Sequence, residues 1–496
     1  TFRTGRYASP DETAVVRVTE RFASFESARL PEPLVLSYPW LHPRSWVSQG
    51  PAIVPVGFLG WPMLLAPFAM VVGSGFLPFI AWLWFVSSFY PFYRLLSSYF
   101  SRRAAWIGVL LMAATPMVLL YANRPLFPNA GLLSGCLWSL WVIELAKRRS
   151  VYWWLVGFLL GLVTIIRPIE LMWVLPWWVW MGSRGSFRLK SSLFRLLPVL
   201  ATIFLSYLAL NKLTYGAWWT IGYWIKDNPA LNIKSVLYQS GSSFSSFFPF
   251  GIHPRSIVWN IRSFAAVFLW PTLFILVAAF VTYLRSLPNP SSLVLRWRPH
   301  LFVWLSLWTV AILFLVYGSG LYQDHVQPGA VTVANSFLRY LLPLSPLTGV
   351  AAAYVFDAHF SSSLSRRSFA VVFILLWLVF GVYSVTMKDD EGVLVTRTEL
   401  ARYASINDRA EDLFSSGSVI FSERSDKVFG SSFRSVSPLP SVEEIARFVR
   451  EQATHLQAGL FVRPLSQRQR DEWRRQGLEA FEVGVFGREH LYRLVP

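Results

Sequence analysis

Three stretches of this sequence carry no charged side chain: AAWIGVLLMAATPMVLLYA (104–122), SFAAVFLWPTLFILVAAFVTYL (263–284) and FAVVFILLWLVFGVYSVTM (369–387). Each is close to the roughly 20 residues that take a helix across a bilayer. Inside lipid every backbone N–H and C=O must be paired internally, so only helices or closed barrels can span it. The runs are continuous rather than alternating, which selects helices. Composition agrees: 15% of residues are charged, against about 25% in a soluble domain. The expected fold class is an all-α polytopic membrane protein with a small C-terminal soluble α/β domain.

Apolar helices can be drawn at about 77–99, 104–122, 128–146, 151–166, 168–183, 192–212, 263–284, 300–317, 338–357 and 369–387, ten in all. VPVGFLGWPMLLAPFAMVVG (54–73) is apolar but rich in Pro and Gly, and reads as a re-entrant or surface-lying helix. The chain starts at Thr1 with no Met and no signal-peptide pattern. A processed or truncated start is expected, with a preceding membrane helix that would make eleven natively. Cys136, the one cysteine, lies inside an apolar run and reads as a packing residue; it leaves no disulfide framework and no Cys-based metal site.

The formal charge of +18 invites a nucleic-acid reading, and its distribution argues against one. Residues 388–496 hold 16 Lys/Arg against 17 Asp/Glu, whereas residues 1–387 hold 29 against 10. The surplus falls between membrane helices. One set of connections carries Arg102, Arg103, Lys147, Arg148, Arg149, Arg184, Arg188, Lys190, Arg195, Arg285, Arg296, Arg298, Arg366 and Arg367, with no acid. By the positive-inside rule that set is cytoplasmic. The opening segment, the loops 213–262 and 318–337 and the tail then face outside. Three domains follow: residues 1–76, the first outer loop with its interfacial helix; 77–387, the transmembrane domain; and 388–496, an extracytoplasmic accessory domain. In the tail SGSVIFSE (416–423), QAGLFVRP (457–464) and GREHLYRLV (487–495) read as strands. SVEEIARFVREQ (441–452) reads as a helix with a Ser441–Glu444 capping box.

The outer connections gather the unusual polar residues. SPDE places Asp11 and Glu12 at a helix start, and HPRS (42–45) brings His42 and Arg44. Arg124 and Asn129 flank NRPLFPN, Arg167 and Glu170 flank RPIE, and Arg339 and Tyr340 open a late helix in SFLRYLLPL. The long loop holds Tyr215, Tyr223 and His253. Carboxylates at a water–lipid boundary can act as a base or hold a metal. Arginines there suit phosphate oxygens, and aromatic rings suit sugars or the membrane interface. Together they fit transfer of a sugar from a lipid-phosphate carrier.

The SPDE…A…ERFA motif, the many short helices, the long middle outer loop and the RYLLP motif resemble the GT-C glycosyltransferases. Among these the likeness is to the protein O-mannosyltransferase and aminoarabinose-transferase branch. HPRS…VPVGFLG (42–60) is similar to a prokaryotic subgroup of them. The resemblance implies a polyprenyl- or dolichyl-phosphate sugar donor and a lipid, glycan or protein acceptor. It also implies inversion at the anomeric carbon and Asp11 as the general base, with Glu12 tuning it or binding an acceptor or metal. Arg339 is the first candidate for the departing phosphate, followed by Arg167, Arg44 and Arg124. Some relatives carry a second acid where this chain has Asn129, which argues against a tightly held divalent cation; Mg or Mn binding stays open.

Other readings compete. Asp11 also suits a helix cap, and Arg167 and Glu170 suit a structural ion pair. Arg339 suits headgroup contact, and Tyr215 and Tyr223 an aromatic belt. His42 and His253 share an HPR tripeptide but no metal-site spacing. For the whole chain the alternatives are a transporter or lipid-linked sugar flippase and a non-catalytic scaffold. Transport sites usually place charge near the bilayer midplane, and this chain keeps its charges at helix ends.

Overall fold

The computed structural model describes residues 6–183, 189–225, 250–285, 297–320, 322, 330–359, 364–388, 391–429 and 432–496. Arg184, Arg188, Arg296 and residues 226–249 of the long loop lie outside them. The contacts form two compact units. One comprises Thr1–Pro78, Tyr207–Leu237 and Thr396–Pro496, the other Phe79–Ser206 and Tyr238–Val395.

The first unit begins with the helix Pro10–Ala23. Ser9 caps it, accepting from the Asp11 N–H at 3.3 Å, and Pro10 opens the first turn, where its missing N–H costs nothing. Asp11 is therefore inside the helix and does not cap it; Asp11 and Glu12 face the positive end of the helix dipole. Ala14, Val15 and Val18 are buried. Strands β1 (Leu30–Pro31), β2 (Trp46–Gln49) and β3 (Ala52–Pro55) form an antiparallel sheet in the order β1-β3-β2. Gly50 turns β2 into β3 at φ 57°, where only glycine is unstrained. The apolar stretch drawn at 54–73 is thus strand up to Pro55 and helix only from Gly60 to Val72. That helix buries Trp61, Leu65 and Ala69 and exposes Phe68, Met70 and Val71, as a helix lying on an apolar surface would.

The tail folds into a five-stranded mixed sheet: β4 (Val419–Ser422), β5 (Arg434–Val436), β6 (Ala458–Val462), β7 (Glu479–Phe486) and β8 (Glu489–Val495), in the order β5-β4-β6-β8-β7. β4 runs parallel to β5 and β6, and β8 antiparallel to β6 and β7. The Ser441–Glu444 capping box is present on the helix Val442–Gln452. The helices Val393–Leu413 and Gln467–Arg475 and strands β5 and β7 were not legible in the sequence. Their apolar positions are too few, or too spread by turns, to show a period.

The opening segment and the tail, from opposite ends of the chain, pack together. Tyr38 is 1% exposed; it sets its ring edge-on to Phe448 at 4.9 Å and bonds Glu451 through its hydroxyl. Trp40 meets Phe421 and Phe448. Such aromatic pairs contribute about 0.5–1.5 kcal/mol beyond burial.

The second unit is helical. Five helices in the described residues are long and apolar enough to cross a membrane: Ser74–Ser97, Pro128–Arg148, Ser192–Tyr215, Pro254–Arg285 and Leu301–Gly318. The count rises to seven if two bent pairs are each one span, which differs from the ten drawn from sequence. The reason is local. The run 104–122 breaks at Thr115–Pro116 with a bend of 65°, and the pair Ser150–Ile166 and Pro168–Ser183 bends by 115°. Proline cannot donate its N–H and drives the preceding residue out of the helical region. The helix drawn at 338–357 is a short turn, Ser336–Tyr340, followed by Leu344–His359. Helices Arg102–Ala113 and Leu344–His359 approach closely at Gly108, where a Cβ would lie 2.5 Å from the Gly349 carbonyl; small residues permit such contact between membrane helices. Outward-facing Trp304, Leu376, Val379 and Val277 stay exposed. This chain is a multi-pass membrane protein.

Candidate functional site

Each unit carries its own set of the expected residues. In the first, the Asp11 carboxylate accepts a 2.6 Å bond from Ser45 Oγ. Ser45 adopts φ 66°, and its carbonyl is held by the Val56 N–H at 2.9 Å. A non-glycine residue in this region is strained and tends to occur where a side chain must be aimed. Glu12 is buried at 3% exposure.

His42 and Arg44 flank this point and are bound to the tail. The His42 carbonyl accepts from the Ser437 N–H at 3.2 Å, and its Nδ1 lies 3.1 Å from the Pro43 carbonyl. Burial pushes its imidazole below the usual range, although the Pro43 carbonyl and Asp426 pull the other way. Arg44 grips Asp426 through Nε at 2.9 Å and Nη2 at 2.6 Å. Tyr215 is buried and donates to the carbonyls of Pro55 and Gly57, so it acts here as a strut for the strand β3. Tyr223 is half exposed against Phe58.

The second unit assembles a cluster from four separate stretches. Pro168 forces Arg167 into extended geometry, φ −154°, at the end of the helix Trp153–Ile166. Its guanidinium donates to Glu170 Oε1 at 3.0 Å, Asn129 Oδ1 at 3.3 Å and Tyr317 Oη at 3.1 Å. Glu170 is 2% exposed and also receives Tyr317 Oη and Trp173 Nε1, each at 2.5 Å. The Tyr317 and Tyr340 rings stack at 4.2 Å, 7° from parallel, and Arg167 sits 4.9 Å from the centre of the Tyr340 ring.

Asn335 caps the turn Ser336–Tyr340, which presents Arg339. Arg339 donates to Ser336 Oγ at 3.1 Å and Tyr340 Oη at 3.3 Å and lies over the Phe127 ring at 4.5 Å. Asn129 Nδ2 donates to the Arg339 carbonyl, and Arg124 also packs over the Phe127 ring, at 4.8 Å. Arg167 thus pairs with Glu170 beside the stacked phenols, and Arg339 and Arg124 join it through Tyr340 and Phe127, a set of guanidinium groups suited to a phosphate.

The structure thus brings Arg124, Asn129, Arg167, Glu170, Arg339 and Tyr340 together and leaves His253 apart, where its N–H donates to Ser319 Oγ. Sequence reasoning missed Tyr317, Trp173, Phe127, Ser45 and Asp426. Tyr317 ends an apolar helix with no polar neighbour to flag it, and Asp426 is one of many acids in a neutral tail. Among the described residues no three or more His, Cys, Asp or Glu side chains group as metal ligands.

No protein-family profile matches the chain, and no curated protein matches it. In structure it is similar to ArnT from Cupriavidus metallidurans in the apo state, at TM-score 0.49 and 11% identity, over 99% of this chain and 94% of that one. It is similar also to ArnT from the same organism bound to undecaprenyl phosphate, at TM-score 0.47 and 12% identity, over 99% and 95%. At those values the likeness carries no residue role across to this chain.

Proposed function

We propose that this chain is a membrane glycosyltransferase of the GT-C type that moves a sugar from a polyprenyl-phosphate donor to an acceptor on the extracytoplasmic side. The observation that carries the reading is the grouping of Arg167 with Glu170 and the Tyr317–Tyr340 stack, and of Arg339 and Arg124 on the neighbouring Phe127 ring. The SPDE motif with Asp11 held by Ser45 supports it.

In the proposed step an acceptor hydroxyl or amine attacks the anomeric carbon. The new bond forms as the bond from that carbon to the phosphate oxygen breaks, so the configuration inverts. The acceptor proton passes to the Asp11 carboxylate. The carrier leaves as polyprenyl phosphate, and the arginines stabilise the charge that develops on it. Glu12, buried beside Asp11 in the first helical turn, shapes the surroundings of the base.

The test is incubation of the purified protein with a panel of polyprenyl-phosphate sugars and candidate acceptors, with mass spectrometry of the products. A glycosylated acceptor that disappears with Asp11→Asn is expected. Movement of lipid-linked sugar across liposomes without any product would replace this reading with transport.

A further inference from the structure

The opening segment and the tail enclose a cleft of about 310 Å³ inside the first unit, within the 300–1,000 Å³ typical of small-ligand sites. Four basic residues line it, Arg17, Arg44, Lys427 and Arg434, against two acids, Glu32 and Asp426. Both acids are already engaged. Asp426 takes Arg44, and Glu32 Oε2 takes Arg434 Nε at 2.7 Å. Arg434 Nη1 is tied to the Gly417 carbonyl at 2.7 Å.

Guanidinium carries five N–H donors in a rigid fork. These bonds orient both guanidinium groups and leave Arg44 Nη1 and Arg434 Nη2 with no protein acceptor among the described residues. The Ser435 hydroxyl, also in the lining, is buried with no protein partner among the described residues. A buried hydroxyl left that way is costly, and an oxygen-rich ligand would satisfy it.

We infer that this cleft binds a phosphoryl group, borne by a small soluble phosphoester or by an anionic lipid headgroup, through Arg44, Arg434, Lys427 and Ser435. Two oriented guanidinium groups, an ammonium and a hydroxyl match the several oxygens of a phosphate better than the two of a carboxylate. The inference stands whether or not the chain transfers sugars.

The full chain in detergent is titrated calorimetrically with inorganic pyrophosphate, glucose 1-phosphate and, as an uncharged control, glucose. The two phosphates are expected to bind and glucose is not. Arg434→Gln weakens binding at least tenfold. Glu32→Gln removes a competing carboxylate and tightens it several-fold, a gain that general damage to the fold does not produce. Lys427→Gln, which removes a bond to the Ala8 carbonyl, carries the loss-of-binding arm if Arg434→Gln melts early. Repeating the titration in phosphatidylglycerol and phosphatidylcholine nanodiscs separates the sources. Weaker pyrophosphate binding in the anionic discs marks a headgroup as the occupant, and equal binding marks a soluble phosphoester. No binding by the wild type, or unchanged affinity in both Glu32→Gln and Lys427→Gln, overturns the inference.

Discussion

Ser45 donates its hydroxyl to the Asp11 carboxylate at 2.6 Å from a backbone held at φ 66°. The residue just after strand β3 keeps it there, through the bond from the Val56 N–H to the Ser45 carbonyl. Two short motifs of the opening segment, SPDE and HPRS, therefore meet in one hydrogen bond, and the candidate base has an orienting partner.

Asp11→Asn keeps the shape of the side chain and removes its basicity. Sugar transfer should fall at least about 100-fold, in the range a general base contributes, with thermal stability nearly unchanged. Ser45→Ala should cost about tenfold in rate, the worth of one bond to a charged group. Initial rates of product formation measure both. An Asp11→Asn enzyme as fast as the wild type would remove the proposed base.

Glu170 is the hub of the second unit's cluster, since Arg167, Tyr317 and Trp173 all donate to it. Glu170→Gln removes the acid that Arg167, 11% exposed, bonds at 3.0 Å, and breaking a largely buried pair costs about 3–5 kcal/mol. Tyr317→Phe removes one hydroxyl and should cost about 1–2 kcal/mol. Thermal unfolding in detergent should rank the two variants in that order below wild type.

Arg44 and Asp426 tie the opening segment to the tail, with the Asp426 side chain 1% exposed. Arg44→Gln and Asp426→Asn should each lower the unfolding midpoint and speed protease cleavage between residues 24 and 45. The double variant should lose less than the sum of the two, because the groups interact directly. Strictly additive losses would show that the pair does not couple them. This contact also bears on removal of residues 388–496: the deletion strips Arg44, Tyr38 and Glu32 of partners, so it does not leave the opening segment intact.

His42 gives the first unit a pH dependence of definite sign. Burial holds its imidazole below the usual range in the fold, so the unfolded chain takes up a proton first as pH falls. Its stabilising contribution is complete above the unfolded value of about 6.5 and is lost as pH drops below that, by up to about 1.4 kcal/mol per pH unit. The unfolding midpoint should fall between pH 7.5 and 5, and fall less steeply in His42→Gln. Parallel slopes would assign the effect to other groups.

The sequence by itself determined the class of molecule, because chargeless runs such as 263–284 have few solutions other than membrane helices, and a capping box such as Ser441–Glu444 is a local code. It also named most of the polar residues in the second unit's cluster, since Arg, Glu and Asn at Pro-rich helix ends stand out against an apolar background. Only the tertiary structure decided which of them meet. Arg167 finds Glu170 three residues away, but Asn129 and Tyr317 reach it through helix packing, and Arg339 joins through Asn129 and Tyr340. Ser45 finds Asp11 through a strand pair, and Arg44 finds Asp426 through the docking of the chain's two ends. Helix period and capping are written in neighbouring residues; partnerships between distant ones depend on shape and burial, which no short window of sequence encodes.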